Sequence, residues 1–153
     1  MKFVITESQL KRILKERIKI SEDERIVISN TPNFLQVVPL TRAAACKYGG
    51  ATKWCVSGDE DNRFDEYKNK GRDVSMIMIK NPELQEKLET TKFAFNVWNK
   101  GIEIHNDKAV WFDLAKLSKE AGVYNEVKSL MKDYITFMVD NRELKDYMNP
   151  LQN

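Results

Sequence analysis

Apolar residues recur at helical spacing close to the start of the chain. Thr6-Glu7-Ser8-Gln9 has the form of a capping box, in which Thr6 caps a helix and Gln9 reaches back to it. An amphipathic helix up to about Ile20 is predicted, because charged residues fill the face opposite the apolar positions. We interpret residues 1–20 as a docking or leader helix, and the alternative is a helix that packs on its own domain. The apolar positions are Leu10, Ile13, Leu14 and Ile18.

Short apolar runs between turn-forming residues predict a sheet in residues 21–153, which we expect to form a single domain. The runs are rich in β-branched and aromatic side chains, and Asn, Pro and Gly residues separate them. Asn99-Lys100-Gly101 is expected to join the last two runs as a hairpin. The predicted strands cover residues 25–29, 34–38, 52–56, 74–79, 93–98 and 102–105.

Helices are predicted between and after these strands. Thr41 caps a short helix that ends at Gly49-Gly50, and further helices are expected over residues 59–69, 113–120 and 124–148, with a helical or loop insertion from Asn81-Pro82. We therefore expect an α+β fold, in which a mostly antiparallel sheet is covered on one face by the long C-terminal helix and by helix 41–48. The buried stripe of the long helix comprises Val127, Leu130, Met131, Tyr134, Ile135, Met138 and Val139.

Composition and charge exclude several classes of protein. The chain has 153 residues and a net charge of +2, which gives no general electrostatic case for binding nucleic acid or a membrane surface. No apolar run reaches the roughly 18 residues of a membrane span, so a cytosolic protein is expected. Two cysteines and one histidine cannot supply a standard structural zinc site, and we expect free thiols, no metal and no cofactor.

The segment from Tyr48 to Cys55, Y-G-G-A-T-K-W-C, concentrates chemically distinct side chains at a predicted helix-to-strand junction. We call it the box. Its glycines allow a sharp turn, and its last four residues offer a hydroxyl, a cation, an aromatic face and a thiol. The box is either a binding site or a packing motif whose aromatic residues belong to the core.

A catalytic interpretation uses Cys55 as a nucleophile. A reactive thiol needs a lowered pKa, which Lys53 or the only histidine, His105, could provide. In a strand, Lys53 and Cys55 would share one face, and Glu103 would lie on the same face as His105. These residues predict a cysteine-dependent transferase or hydrolase as one alternative, whereas a strand cysteine is more often part of a core.

A nucleic-acid interpretation uses the aromatic residues near the box. Basic residues between Arg42 and Arg72 surround Tyr48, Trp54 and Tyr67, an arrangement that resembles a stacking platform for single strands. Acidic residues are interspersed, which weakens this interpretation. The acidic residues from Asp59 to Glu66 lack the spacing of a calcium-binding loop, and we interpret them as a helix start.

Three segments carry a resemblance to a known family: the box with the preceding Ala45-Cys46-Lys47, then Phe64-Asp65-Glu66-Tyr67 and Lys92-Phe93-Ala94. Over roughly residues 37–107, the chain resembles a family of small uncharacterised proteins of tailed bacteriophages that share a Y-G-x-x-T-K-W-C box. The resemblance implies a viral protein in the cytoplasm of an infected bacterium, or packaged in the virion, and no particular reaction.

We therefore expect a phage accessory protein that acts as a non-enzymatic binding module. Its partner would be a host or viral protein or a small ligand, with single-stranded nucleic acid or a minor virion role as further alternatives. The expected binding surface comprises Tyr48, Thr52, Lys53, Trp54, Phe64 and Tyr67.

Overall fold

The computed structural model describes residues 6–12, 24–54, 56–58, 62–98, 101–142 and 150–151. Within these ranges the chain has an α+β fold built on a five-stranded antiparallel sheet, in which the strands follow one another in sequence order. The strands are β1 (Arg25–Asn30), β2 (Phe34–Pro39), β3 (Ser75–Ile79), β4 (Lys92–Trp98) and β5 (Gly101–Asn106).

Six helical segments accompany the sheet in the described residues. Residues 7–12 are helical and are called α1. The others are α2 (Arg42–Tyr48), α3 (Phe64–Asn69), α4 (Pro82–Leu88), α5 (Leu114–Glu120) and α6 (Tyr124–Arg142).

One face of the sheet, the first face, packs against α4, α5 and α6. Phe34, Ile77 and Phe93 project from three neighbouring strands into a core that includes Leu130 and Tyr134 of α6. Every second residue of a strand points to the same face of the sheet, so Gln36 and Ser75, each two residues from a core residue, also point towards α6. Gln36 donates through Nε2 to Ser75 Oγ at 2.9 Å and to Leu130 O at 3.0 Å. The long helix is therefore held by both apolar contacts and buried hydrogen bonds.

The opposite or second face carries a separate apolar cluster. Val37, Met76 and Ala94 point to this side, where they pack with Ala45 of α2 and with Trp54 of the box. Helices α2 and α6 therefore lie on opposite faces of the sheet, and our expectation that both cover the same face was wrong. The physical reason is that β2 is apolar on both sides, so each of its faces needs a covering element.

The predicted strand over residues 52–56 is not formed by the residues described there. Ala51 and Thr52 lie in a turn, Lys53 and Trp54 are irregular, and Val56 begins another turn. Thr52 Oγ1 donates to Gly49 O at 2.5 Å, which closes the chain on itself instead of extending it. The argument that Lys53 and Cys55 share a strand face consequently loses its basis, and Cys55 lies outside the described residues.

Local capping signals gave several correct predictions. The capping box is confirmed, since Gln9 N donates to Thr6 Oγ1 and Thr6 N donates to Gln9 Oε1. Thr41 caps α2 through its side-chain oxygen as predicted, and the structure shows that Asp113, where a helix was expected to begin, caps α5 in the same way. The predicted residues Ile13, Leu14 and Ile18, the acidic residues 59–61 and the end of the last helix beyond residue 142 lie outside the described ranges.

The stripe predicted for α6 is buried at most of its positions. Val127, Leu130, Met131, Tyr134 and Met138 are buried, and Ile135 packs against the same core. Val139 is exposed instead, because it lies at the flank of the stripe, four residues after the partly buried Ile135. Tyr134 OH also donates to Asp73 O at 2.6 Å and so ties α6 to the start of β3.

Candidate functional site

A cavity of about 230 Å³ lies on the second face, beneath the box. Its walls are mainly apolar and include the aromatic side chains of Trp54 and Tyr67. Three polar side chains reach the same space from three different segments: Lys53 from the box, Asn96 from β4 and His105 from β5. The remaining lining residues are Val56, Val74, Ala94 and Ala109.

The box reaches this position through a tight turn that follows α2. A side chain at Gly49 has no room, since a Cβ there would lie 1.8 Å from Ser57 Oγ and 2.8 Å from Ala45 O. Ser57 Oγ donates to Ala45 O at 2.9 Å, which fixes the returning chain against the helix. Ala51 then takes a left-handed conformation with φ of 62°, which completes the turn.

Lys92 of β4 anchors the turn to the sheet. Its Nζ donates to Tyr48 O at 2.9 Å and to Gly50 O at 2.8 Å, so two carbonyls at the end of α2 are bound by one ammonium group. Burial of this side chain lowers the pKa of Lys92 below its ordinary value. Lys92 lies at the same strand parity as Ala94 and Asn96, and therefore on the second face.

The other end of the box is tied to the end of β5. Lys53 N donates to Asp107 O at 2.9 Å, and Trp54 Nε1 donates to Asn106 O at 2.7 Å. The carboxylate of Asp107 accepts from the backbone and the hydroxyl of Thr91, which fixes the loop after β5. These contacts hold the Trp54 indole as one wall of the cavity, with only 6% of the residue exposed.

Asn96 supplies a polar group at the buried end of the cavity. Only 7% of the residue is exposed, and its Oδ1 is one of two buried side-chain oxygens in the described residues that lack a hydrogen-bond partner. The other is Gln36 Oε1 on the first face, whose amide still donates two hydrogen bonds. A buried acceptor without a donor is costly, which makes Asn96 a candidate ligand-binding residue.

His105 lies on β5 next to the cavity, opposite Ala94 in the strand pairing. Its Nε2 is 3.6 Å from Glu103 Oε2, so the expected contact between these two side chains is confirmed. The imidazole is partly exposed. This arrangement gives the cavity a group that can donate or accept a proton.

The structure brings together four of the predicted site residues, namely Lys53, Trp54, Tyr67 and His105, around the cavity. Phe64 is buried in the second-face cluster and does not line this cavity, and Tyr48 packs at the edge of that cluster. Thr52 has a local structural role in the turn. Cys55, the predicted nucleophile, lies outside the described residues.

Tyr48 is partly exposed and lies beside two cations. The guanidinium carbon of Arg25 is 5.8 Å from the centre of its ring, and Lys47 Nζ is 5.5 Å from it. These distances are typical of cation–π contacts. The Tyr48 ring is therefore engaged with neighbouring side chains of this chain, outside the cavity.

Sequence reasoning missed Asn96 and Lys92. The sequence did contain a hint, because both are polar residues on the same face of an otherwise apolar strand, Lys92–Trp98. A polar residue in a strand covered on both faces requires a partner, and the sequence could not show that β4 is covered on its second face. Their roles depend on the box folding over this part of the sheet.

Comparison with protein-family models, curated proteins and solved structures finds no match for this chain. The resemblance to a bacteriophage family therefore stays a prediction. Among the described helices, none is long and apolar enough to cross a membrane. Within the same part of the chain, no three His, Cys, Asp or Glu side chains are grouped as metal ligands.

Proposed function

We propose that this chain is a non-enzymatic binding module of a phage, active in the cytoplasm of the infected bacterium, and that it binds a small ligand in the cavity under the box. The observation that supports this most strongly is the unpaired Oδ1 of the buried Asn96 in the lining of a mainly apolar cavity. Ligand sites typically combine apolar walls with a few convergent polar groups.

A small ligand fits this geometry better than a protein surface or a nucleic-acid strand. The cavity is below the roughly 300–1,000 Å³ of pockets for drug-sized ligands, so its occupant is a compact molecule. Trp54 is nearly fully buried, and it presents a wall of the cavity instead of an open face on which a base could stack. The net charge of +2 adds no general attraction for nucleic acid.

Heteronuclear NMR with a panel of small aromatic and heteroaromatic compounds tests the proposal. Benzoate, indole, nicotinamide and adenine form a starting panel. The Trp54 indole N–H is a direct reporter, because it donates to Asn106 O beside the cavity. We expect at least one compound to shift this resonance together with the amides of Lys53 and Asn96.

Filling the cavity provides the specific control. Ala94→Leu places additional atoms in the cavity and should remove these shifts, whereas Ala43→Leu, on α2 and outside the cavity lining, should leave them unchanged. Shifts confined to other surfaces, or shifts that persist in Ala94→Leu, would mean that the cavity is not the binding site.

The second candidate is a cysteine-dependent transferase or hydrolase. Lys53 and His105, the two residues that would assist the thiolate, line the same cavity. In a Cys46→Ser background, the pH dependence of Cys55 alkylation separates the candidates. A midpoint well below the roughly 8.5 of a free thiol supports the enzyme, and labelling only after unfolding eliminates it.

A further inference from the structure

We infer that the ligand is a small aromatic acid with a hydrogen-bond donor at the end opposite its carboxylate. This inference rests on the proposed function, since it assigns a chemical class to the occupant of the same cavity. It follows from three features arranged along the cavity: an unpaired acceptor at the buried end, apolar and aromatic walls, and a cation at the mouth.

The buried end specifies a donor. Asn96 Oδ1 is buried and accepts no hydrogen bond from the described residues. Glu103, which faces Asn96 in the strand pairing, carries an acceptor carboxylate, and His105, which lines the same cavity, does not donate to Asn96 Oδ1. A ligand O–H or N–H group would satisfy the oxygen, and a ligand without a donor would leave it desolvated and unpaired. The site should therefore discriminate strongly in favour of donors.

The middle of the cavity favours a single aromatic ring. Trp54 and Tyr67 contribute aromatic rings, and Val56 and Val74 contribute aliphatic side chains. The volume of about 230 Å³ is of the size that one six-membered ring with small substituents needs, and it leaves no room for a second ring. Ring faces pack well against such walls because aromatic pairs gain from offset or edge-on contacts.

The mouth favours an anion. Lys53 is exposed, its backbone is fixed by the hydrogen bond to Asp107 O, and no described carboxylate forms an ion pair with its ammonium group. Two described carboxylates near the cavity have other partners, since Glu103 Oε2 lies 3.6 Å from His105 Nε2 and Asp107 accepts from Thr91. A ligand carboxylate at the mouth would face the free cation and remain partly hydrated.

Three isosteric probes separate these features: 4-hydroxybenzoate, 4-methylbenzoate and 4-hydroxybenzamide. The first has both the donor and the carboxylate, the second replaces the donor by a methyl group, and the third replaces the carboxylate by a neutral amide. Affinities for the full chain are measured by NMR titration. We expect 4-hydroxybenzoate to bind roughly tenfold or more tightly than either analogue.

Two variants assign each preference to a residue. Asn96→Leu should abolish the preference for 4-hydroxybenzoate over 4-methylbenzoate and keep the preference for the acid. Lys53→Gln should abolish the preference for the acid over the amide and keep the preference for the donor. Lys108→Gln, at an exposed lysine outside the cavity lining, should change neither of the two affinity ratios. Raised salt should weaken the preference for the acid and leave the donor preference unchanged.

The outcomes distinguish this inference from the proposed function. Equal binding of all three probes at the cavity, blocked by Ala94→Leu, would overturn the ligand class and leave the binding module standing. Preferences that survive in Asn96→Leu and Lys53→Gln would likewise overturn it. If no probe shifts the cavity resonances, the ligand class is wrong, and the broader panel then decides whether the cavity binds any ligand.

Discussion

Asn96 illustrates how one side chain can oppose stability and, in the function that we propose, serve binding. It lies in β4 between Phe95 and Val97, two buried apolar residues, yet its own Oδ1 is buried without a partner. Replacing a buried unpaired group by an apolar side chain of similar shape is commonly stabilising. Natural binding sites often retain such groups, because the ligand supplies the missing partner.

The prediction is that Asn96→Leu raises the free energy of unfolding of the ligand-free protein by about 1 kcal/mol. Urea denaturation measures it. The matched comparison is Gln36→Leu, which removes two buried hydrogen bonds and should lower stability by about 1–3 kcal/mol. A clear loss of stability in Asn96→Leu would indicate that the amide has a structural role that the cavity does not explain.

Lys92 is a second residue whose function is decided by its neighbours. Lys92→Met should lower the free energy of unfolding by about 1–2 kcal/mol, because Tyr48 O and Gly50 O lose their shared donor. Chemical denaturation at neutral pH gives this value. Lys116→Met, at an exposed lysine of α5, should change stability little.

The difference between wild type and Lys92→Met should also depend on pH. The folded-state pKa of Lys92 is lowered by burial from the ordinary 10.5, so the unfolded chain binds more protons between these two pKa values. Wild-type stability relative to the variant should therefore increase as the pH rises through the folded-state pKa towards 10.5. If the difference in free energy of unfolding between wild type and Lys92→Met stays constant or declines over this alkaline range, the pKa of Lys92 is not lowered by burial.

At the scale of elements, helix ends are set by local chemistry. Thr41, Asn81 and Asp113 each accept a backbone N–H at the start of a helix, as short polar residues do at such positions. The end of α4 departs from the usual pattern. Glu89 occupies the C-cap in the left-handed conformation with φ of 58°, where glycine is normally preferred.

Glu89→Gly should therefore raise the free energy of unfolding by about 0.5–1 kcal/mol, since glycine adopts this conformation without steric cost. Thermal and urea denaturation both detect such a change. Glu86→Gly, at an exposed position inside the same helix, is the contrasting control and should destabilise by about 1 kcal/mol. Destabilisation by both variants would mean that the strain at Glu89 is negligible.

At the scale of the whole molecule, the two faces of the sheet are covered in different ways. The first face is sealed by α6 through a continuous core. The second face has a smaller apolar cluster that includes Trp54 and Val56, and the exposed turn between Gly49 and Lys53 adds hydrogen bonds from Lys92 and to Asp107 O. Segments with few buried contacts open locally, and central strands exchange their amide hydrogens only through global unfolding.

Hydrogen exchange should reveal this difference. The amide of Ile77 in β3 should exchange slowly and accelerate steeply with low concentrations of urea, because its exchange requires global unfolding. The amide of Lys53, bound to Asp107 O, should exchange faster and depend weakly on urea. The same urea dependence for both amides would show that the box unfolds only together with the core.

Much of the fold could be predicted because the relevant information is local. Short apolar runs between turn-forming residues identified all five strands of the sheet, and the Thr41 cap identified the start of α2. The strand predicted over residues 52–56 failed, since a few apolar residues beside a turn cannot show whether a neighbouring strand has a free edge. Here the described residues of this segment do not extend the edge strand β5; they form turns over the second face, where Trp54 and Val56 join the apolar cluster.

The sequence by itself determined the α+β class and the helix caps at Thr6 and Thr41, and it singled out Lys53 and Trp54 as candidate site residues, because periodicity and unusual residue types are visible along the chain. Only the tertiary structure decided that α2 and α6 cover opposite faces and that Asn96 lies in a cavity with His105. Those relations join residues far apart in sequence, and they depend on how each face of the sheet is buried.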